Sequence, residues 1–207
     1  MGELRIAQLA PRCTVLGPGV RGVVWVQGCS RGCPGCISPE MQPWEGGTAV
    51  STENLAEYLG DLREIEGITI SGGEPLAQAE GLNDLMDRLR ERDFGWMAYT
   101  GYTLEEILEA GTEEQRKWVR RLDILVDGPY REAEHCNGPW RGSKNQRIHF
   151  LTPRYRSWQE RLGDLENRLE WVWEGNACYW MGIPPRGFRE KWETIVREVG
   201  FSFQEEK

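Results

Sequence analysis

Histidine is nearly absent from this 207-residue chain, which has only His135 and His149. A second C-x2-C pair is missing too: Cys33 and Cys36 form the single one among six cysteines. Zinc knuckles are usually built from two such pairs, so their absence argues against a zinc knuckle. A zinc site would need a distant fourth ligand from Cys13, Cys136, Cys178, His135 or His149, and on the residues alone that alternative stays open. No long basic run occurs, and the densest basic stretch (Arg116, Lys117, Arg120, Arg121) reads as a helix face. With a net charge of −8, nucleic acid is not an expected partner. No long apolar run occurs either, and the opening MGELRIAQLA carries acid early. Neither a signal peptide nor a membrane segment is expected. The expected location is the cytoplasm, where thiols stay reduced, so the six cysteines read as metal-binding rather than as three disulfides. Internal repeats and low-complexity tracts are also lacking.

What is present is an alternation of strand and helix patterns. "LRIAQLA" (4–10) and "VRGVVWVQG" (20–28) read as strands around a turn at "GPG" (17–19). "TENLAEYLGDL" reads as a helix capped by Thr52, and "GITIS" (67–71) as a short apolar strand. Leu82, Leu85, Met86 and Leu89 recur at helical spacing within 78–91. "WMAYT" (96–100) is the next strand. The helices "TLEEILEA", capped by Thr103 with Glu106 three residues on, and "EEQRKWVRRL" follow it. Strands "DILVDG" (123–128) and "NQRIHFL" (145–151) complete the pattern. This order predicts a parallel α/β sheet with right-handed crossovers. The last fifty residues differ. "RLEWVWEGNACYWMGI" reads as a hairpin turning at Gly175-Asn176, and "FREKWETIVREV" as a helix with Phe188, Trp192, Ile195 and Val199 on one face. The chain length suits one domain with a small appendage: a core over 1–151 and an extension over 152–207 packed on it.

The chemistry concentrates in "GCSRGCPGC". Cys29, Cys33 and Cys36 lie within eight residues, in a loop leaving the carboxyl end of a strand, the edge on which α/β folds carry functional loops. Three thiolates can hold three irons of a [4Fe–4S] cluster and leave the fourth open. Gly28, Gly32 and Gly35 let the backbone pass close to an inorganic core and turn N–H groups toward sulfur. Downstream, "ITISGGEP" ends a strand with Gly72-Gly73-Glu74, where exposed backbone groups and a carboxylate can hold an ammonium.

C-x3-C-x2-C after an early strand, followed by this GGE, resembles the radical S-adenosylmethionine (SAM) superfamily. Gly35 stands where many of these enzymes have an aromatic, in "CPGC", which is similar to the activating proteins of anaerobic ribonucleotide reductases. "YTGYTLEEI" (99–107), "DILVDGPY" (123–130) and "WRGSKNQRIH" (140–149) agree with that branch. The resemblance runs from about Val20 to Leu151. It implies a partial (β/α)6-type barrel, followed here by a hairpin and helix. It implies a [4Fe–4S] cluster on Cys29, Cys33 and Cys36. SAM binding would fall on Gly35, Cys36, Ile37, Gly72, Gly73 and Glu74, with Thr100 and Gly101 near the ribose. It further implies reductive cleavage of SAM to a 5′-deoxyadenosyl radical and formation of a glycyl radical on a reductase subunit, with a reduced flavodoxin or ferredoxin as electron donor.

A short chain is expected to leave the barrel open on one side, which suits a glycine loop of a large partner. Residues 152–207 and the wording "CISPEMQPW" depart from the branch pattern and leave modification of a peptide or small molecule as the alternative. A non-catalytic iron–sulfur or zinc protein is a third reading. Asp127-Gly128 reads either as a plain turn or as part of the site. Arg141, Ser143, Asn145 and Gln146 read as a binding loop, and His135 and Cys136 as incidental.

Overall fold

A computed structural model describes residues 2–174 and 177–198 of the chain. In chain order these are β1 (Glu3–Cys13), β2 (Arg21–Val26), β3 (Thr48–Ser51), α1 (Thr52–Asp61), β4 (Gly67–Gly72), α2 (Ala79–Arg88), β5 (Gly95–Tyr99), α3 (Leu104–Ala110), α4 (Glu113–Val119), β6 (Ile124–Asp127), β7 (Arg147–Phe150), α5 (Arg156–Glu160), β8 (Leu169–Glu174), β9 (Ala177–Gly182) and α6 (Phe188–Glu198). The first seven strands form one sheet in the order β3-β1-β2-β4-β5-β6-β7, and β8 pairs with β9 in a second.

Strands β2, β4, β5 and β6 run parallel. They are apolar runs buried on both faces, with every residue of β2 and β6 buried, as parallel strands between two covering layers require. The sheet is not parallel throughout, as the alternation predicts. Its margins are antiparallel: β1 on β2, β3 on β1, and β7 on β6. The reason is the connection. The link between β1 and β2 is too short for a crossover, and the 128–146 link contains no α-helix, so each strand can only fold back. The four-residue β3 is an element the sequence pattern does not announce.

Capping follows the residue types. Thr103 and Thr112 each complete a capping box, with Glu106 and Gln115. Helix α1 is capped by Ser51, whose Oγ accepts from Asn54 N at 3.2 Å, and not by Thr52. The Thr52 hydroxyl donates instead to Gly2 O at 3.0 Å and to the Asp84 carboxylate, tying α1 to the chain start and to α2.

The helical face of the sheet (Val24, Val26, Ile68, Ile70, Ala98, Leu125) packs against Leu55 and Leu59 of α1, Leu82, Leu85 and Met86 of α2, Ile107 of α3 and Trp118 of α4. Each such buried aliphatic side chain is worth about 1.5–3 kcal/mol. The opposite face is also covered, contrary to the open side expected from chain length. Val23 and Trp25 meet Val172, Tyr179 and Met181 of the hairpin. Met97, Ile124 and Val126 meet Tyr155, Trp158, Leu162 and Leu165. An apolar sheet face left in water is costly, and the chain covers it with its own residues. The other side of the hairpin receives α6: the Trp171 ring lies 4.5 Å from Trp192 and 5.9 Å from Phe188, and Trp180 lies 5.3 Å from Phe188. The expected turn at Gly175-Asn176 and the expected helical position of Val199 fall outside the described residues. Among the described residues no helix is long and apolar enough to cross a membrane.

Candidate metal centre

The cysteine loop begins where β2 ends. Gly28 N donates to Met41 O and Cys29 N to Gln42 O, both at 2.9 Å, so residues 29–40 form an excursion with a closed neck. Gln27 fastens that neck. Its buried side chain donates to Glu40 O at 3.1 Å and Pro43 O at 2.7 Å. Within the loop, Cys36 N donates to Cys33 O at 3.2 Å, and Gly35 takes φ +69°, a left-handed conformation that an aromatic residue would adopt only under strain. All three thiols are free and partly exposed. Burial raises the Cys33 thiol above its usual range; the backbone N–H of Tyr130 lowers it, and the neighbouring Cys36 and Cys29 raise it further. Cys36 and Cys29 therefore lie close enough to Cys33 to act on it electrostatically.

The GGE segment lies against this neck. Gly73 N donates to Val26 O at 2.7 Å and Glu74 N to Gly28 O at 2.8 Å. A side chain on Gly73 would overlap the Gly28 carbonyl, so this approach requires glycine there. Glu74 is 1% exposed and its carboxylate is spent inward. Oε1 accepts from Leu76 N (3.0 Å) and Thr100 Oγ1 (2.8 Å), and Oε2 accepts from Gly101 N (2.8 Å). Burial raises its pKa from the ordinary carboxylate range, opposed by those three donors and by Arg31. One buried carboxylate thus joins the ends of β4 and β5.

Arg31 closes the gap between the loops. Its guanidinium carbon lies 4.5 Å from the Tyr102 ring centroid, and its side chain borders Gly101. Ser30 Oγ and Tyr102 OH are 3.4 Å apart. The cysteine loop, Gly72-Gly73-Glu74 and Thr100-Gly101 therefore meet on one edge of the sheet, as expected. Ile37 is exposed beside the thiols. Arg31 and Tyr130 are not singled out by the sequence pattern. Arg31 could have been suspected as the one cation between two thiols, whereas Tyr130 contributes through its backbone and leaves no residue-type signal.

Other expected residues lie differently. Arg141, Ser143, Asn145 and Gln146 close their own loop and do not form an open binding surface. Gln146 Oε1 accepts from Gly142 N (2.8 Å) and Ser143 N (3.1 Å), while Asn145 Nδ2 donates to Pro129 O (2.8 Å). His135 pairs with Ser143 in an isolated antiparallel bridge, and Cys136 N donates to Gly142 O at 3.0 Å. Asp127 is fully buried in a network with Leu104 N, Arg147 and His149, anchoring β6, β7 and α3 rather than facing the thiols. Cys13 is buried in the core under the hairpin, away from the three thiols, so it offers no fourth ligand. Among the described residues, no three His, Cys, Asp or Glu side chains converge as ligands of a single ion.

A model of the 4Fe–4S single cluster domain family matches residues 15–149. The anaerobic ribonucleoside-triphosphate reductase-activating protein of Vibrio cholerae is 31% identical over 156 residues, covering 70% of this chain and 97% of the relative. The protein of the same name from Haemophilus influenzae is 30% identical over 151 residues, 69% of this chain and 95% of its own. The chain belongs to the family of anaerobic ribonucleoside-triphosphate reductase-activating proteins. As a member of that family it is an activating enzyme. The relative from Enterobacteria phage T4 is 32% identical over 142 residues, 65% of this chain and 86% of its own. Among solved structures, QueE from Escherichia coli is similar over 49% of this chain and 54% of that one, at 20% identity and a TM-score of 0.39. The activating-protein family's cluster fits the residues present: three free thiols in one glycine-bearing loop, with an N–H directed at sulfur inside it, Arg31 N to Cys29 Sγ at 3.4 Å.

Proposed function

We propose that this chain generates a glycyl radical on an anaerobic ribonucleotide reductase subunit, using a [4Fe–4S] cluster and SAM held at the carboxyl edge of the parallel strands β2, β4 and β5 in the core of residues 1–151. Cys29, Cys33 and Cys36 would hold the cluster. Gly35, Cys36, Ile37, Gly72, Gly73, Glu74, Thr100 and Gly101 would hold SAM. Held there, the reduced cluster and SAM would supply one-electron radical chemistry able to abstract a hydrogen atom from a glycine. The chain's own work is positioning. The Gly73 and Glu74 amides fix the strand end against the cysteine neck. Glu74 spends its known hydrogen bonds on Leu76, Thr100 and Gly101, so its first task is to hold the two cofactor-facing turns in register. Oε1 already accepts two hydrogen bonds, so Oε2, which accepts one, is the oxygen that keeps acceptor capacity for an ammonium. Arg31, stacked over Tyr102, ties the cysteine loop to the turn after β5. The electron donor would be a reduced flavodoxin or ferredoxin, and the setting the cytoplasm.

The observation that carries this reading is Glu74 joining the β4 and β5 turns directly above the cysteine neck. Anaerobic incubation of the reconstituted protein with SAM, reductant and a candidate reductase, read by electron paramagnetic resonance, should give a glycyl doublet. SAM cleavage undiminished in Cys33→Ala would overturn the site assignment. A second reading, modification of a peptide or small molecule, is favoured by the hairpin and the 153–165 segment. They cover the sheet face that a bulky partner loop would otherwise use. SAM consumption without a doublet would select it.

A further inference from the structure

Arg31 is the only cation between Gly28 and Pro43. Its backbone N–H donates to Cys29 Sγ at 3.4 Å, which pins the residue between the first two thiols. The side chain leaves the cysteine loop and reaches the turn after β5, where the guanidinium carbon lies 4.5 Å from the Tyr102 ring centroid. Among the described residues this ring contact is the one the guanidinium makes; no carboxylate or carbonyl takes a hydrogen bond from it. Stacking occupies the flat face of a guanidinium and leaves the N–H donors on its edge free.

The neighbouring charge is Glu74. A Cβ on Gly101 would lie 2.9 Å from Arg31 Cγ, 3.4 Å from Arg31 Nε and 3.4 Å from Glu74 Oε2. Cation and carboxylate thus flank one backbone position, which glycine keeps open, and they form no ion pair with each other. Glu74 Oε2 takes a single hydrogen bond, from Gly101 N. A free acceptor beside a free donor fork matches a zwitterion, and the amino acid end of SAM carries its ammonium and its carboxylate on one carbon. A ring contact that merely tied down the loop would give no reason for two opposite charges to be held apart.

We propose that Arg31 receives the carboxylate of the methionine end of SAM, opposite the Glu74 oxygen that receives its ammonium. This rests on the reading that SAM binds at this edge of the sheet. The two residues together select a ligand with both charges over one with the ammonium alone. They also fix the amino acid end between the cysteine loop and the β5 turn, so the sulfonium is presented in one orientation.

The test is calorimetric titration of the anaerobically reconstituted full chain with SAM and with decarboxylated SAM, which keeps the sulfonium and the ammonium but lacks the carboxylate. Arg31→Met should weaken SAM about tenfold and leave the affinity for the decarboxylated compound unchanged. Equal weakening of both ligands, or none for SAM, overturns the inference, since a tie between loops would act on both alike. If the decarboxylated compound binds too weakly to read, charge decides. Arg31→Lys then keeps part of the SAM affinity that Arg31→Met loses, and an equal loss in the two variants overturns the inference. A wild-type chain that takes up its cluster yet binds no SAM sinks the proposed function and this assignment with it. A wild type that binds SAM, together with either overturning result, sinks only the role of Arg31.

Discussion

Replacing Asp127 by asparagine isolates a buried charge at the junction of β6, β7 and α3. The Asp127 side chain is 0% exposed. Oδ2 accepts from Leu104 N at 2.7 Å, the first turn of α3, and from Arg147 Nη2. Oδ1 accepts from Arg147 Nε at 3.1 Å, and His149 Nε2 lies 3.0 Å from Oδ2. An asparagine amide must turn its NH2 toward one of these donors. Toward Oδ2's position it would orphan the Leu104 amide, so the cheaper orientation faces Arg147 Nε. Even then two charge-assisted bonds weaken to neutral ones or vanish. Such bonds are worth about 1.5–3 kcal/mol each, and removing one partner of a fully buried pair costs about 3–5 kcal/mol. Arg147 keeps Glu105 as a partner and its side chain is 44% exposed, which discounts the larger figure. The expected cost of Asp127→Asn is about 2–3 kcal/mol, or roughly 4–12 °C in Tm for a chain of this size.

The assay is thermal unfolding by circular dichroism across pH. Burial pushes the Asp127 carboxyl up, but Arg147, the Leu104 amide and His149 together outweigh it and hold it below the usual range. A depressed folded pKa gives stability that is complete above the unfolded value, about 3.9, and is lost as pH falls through the folded one. The gap between wild type and Asp127→Asn should therefore be constant near neutrality and close only below about pH 4. A variant within about 0.5 kcal/mol of wild type at pH 7, or a gap that persists unchanged at pH 2, would refute the reasoning.

Three further outcomes are expected. Thr100→Val removes the hydroxyl that donates to Glu74 Oε1 and accepts from Tyr102 N, which should cost about 1–2 kcal/mol and weaken SAM binding measured by calorimetry. Gly73→Ala places a methyl group into the Gly28 carbonyl, so the neck must open; iron content after reconstitution should fall while far-ultraviolet dichroism holds. Arg21→Met deletes the donors to Thr69 Oγ1, Ile68 O, Gly95 O, Pro18 O and Tyr155 OH, leaving buried acceptors unpaired; a loss of about 3 kcal/mol or more in urea unfolding is expected.

Arg21 also shows where sequence pattern stops being informative. In "VRGVVWVQG" it reads as an ordinary charge at a strand start, yet it is 0% exposed and, among the described contacts, meets oxygen acceptors without a carboxylate. Nothing local signals that, because all its partners but Pro18 O come from β4, the residue opening β5, and Tyr155, 134 positions away. The cysteine loop stands out for the opposite reason: three thiols in eight residues are visible in type and spacing alone. Glu74 was half legible. Its place beside Gly72-Gly73 resembles a cofactor turn, but its inward bonds to Thr100 and Gly101 depend on β4 and β5 being parallel neighbours, a long-range fact. The 140–146 loop misled in a simple way. Polar residues before a strand look like groups offered to a ligand, whereas here they satisfy backbone groups of a connection that has no helix to satisfy them. The same absence of a helix turns β7 antiparallel. One unread property, the lack of a crossover element between β6 and β7, therefore accounts for both the sheet margin and the spent polar side chains.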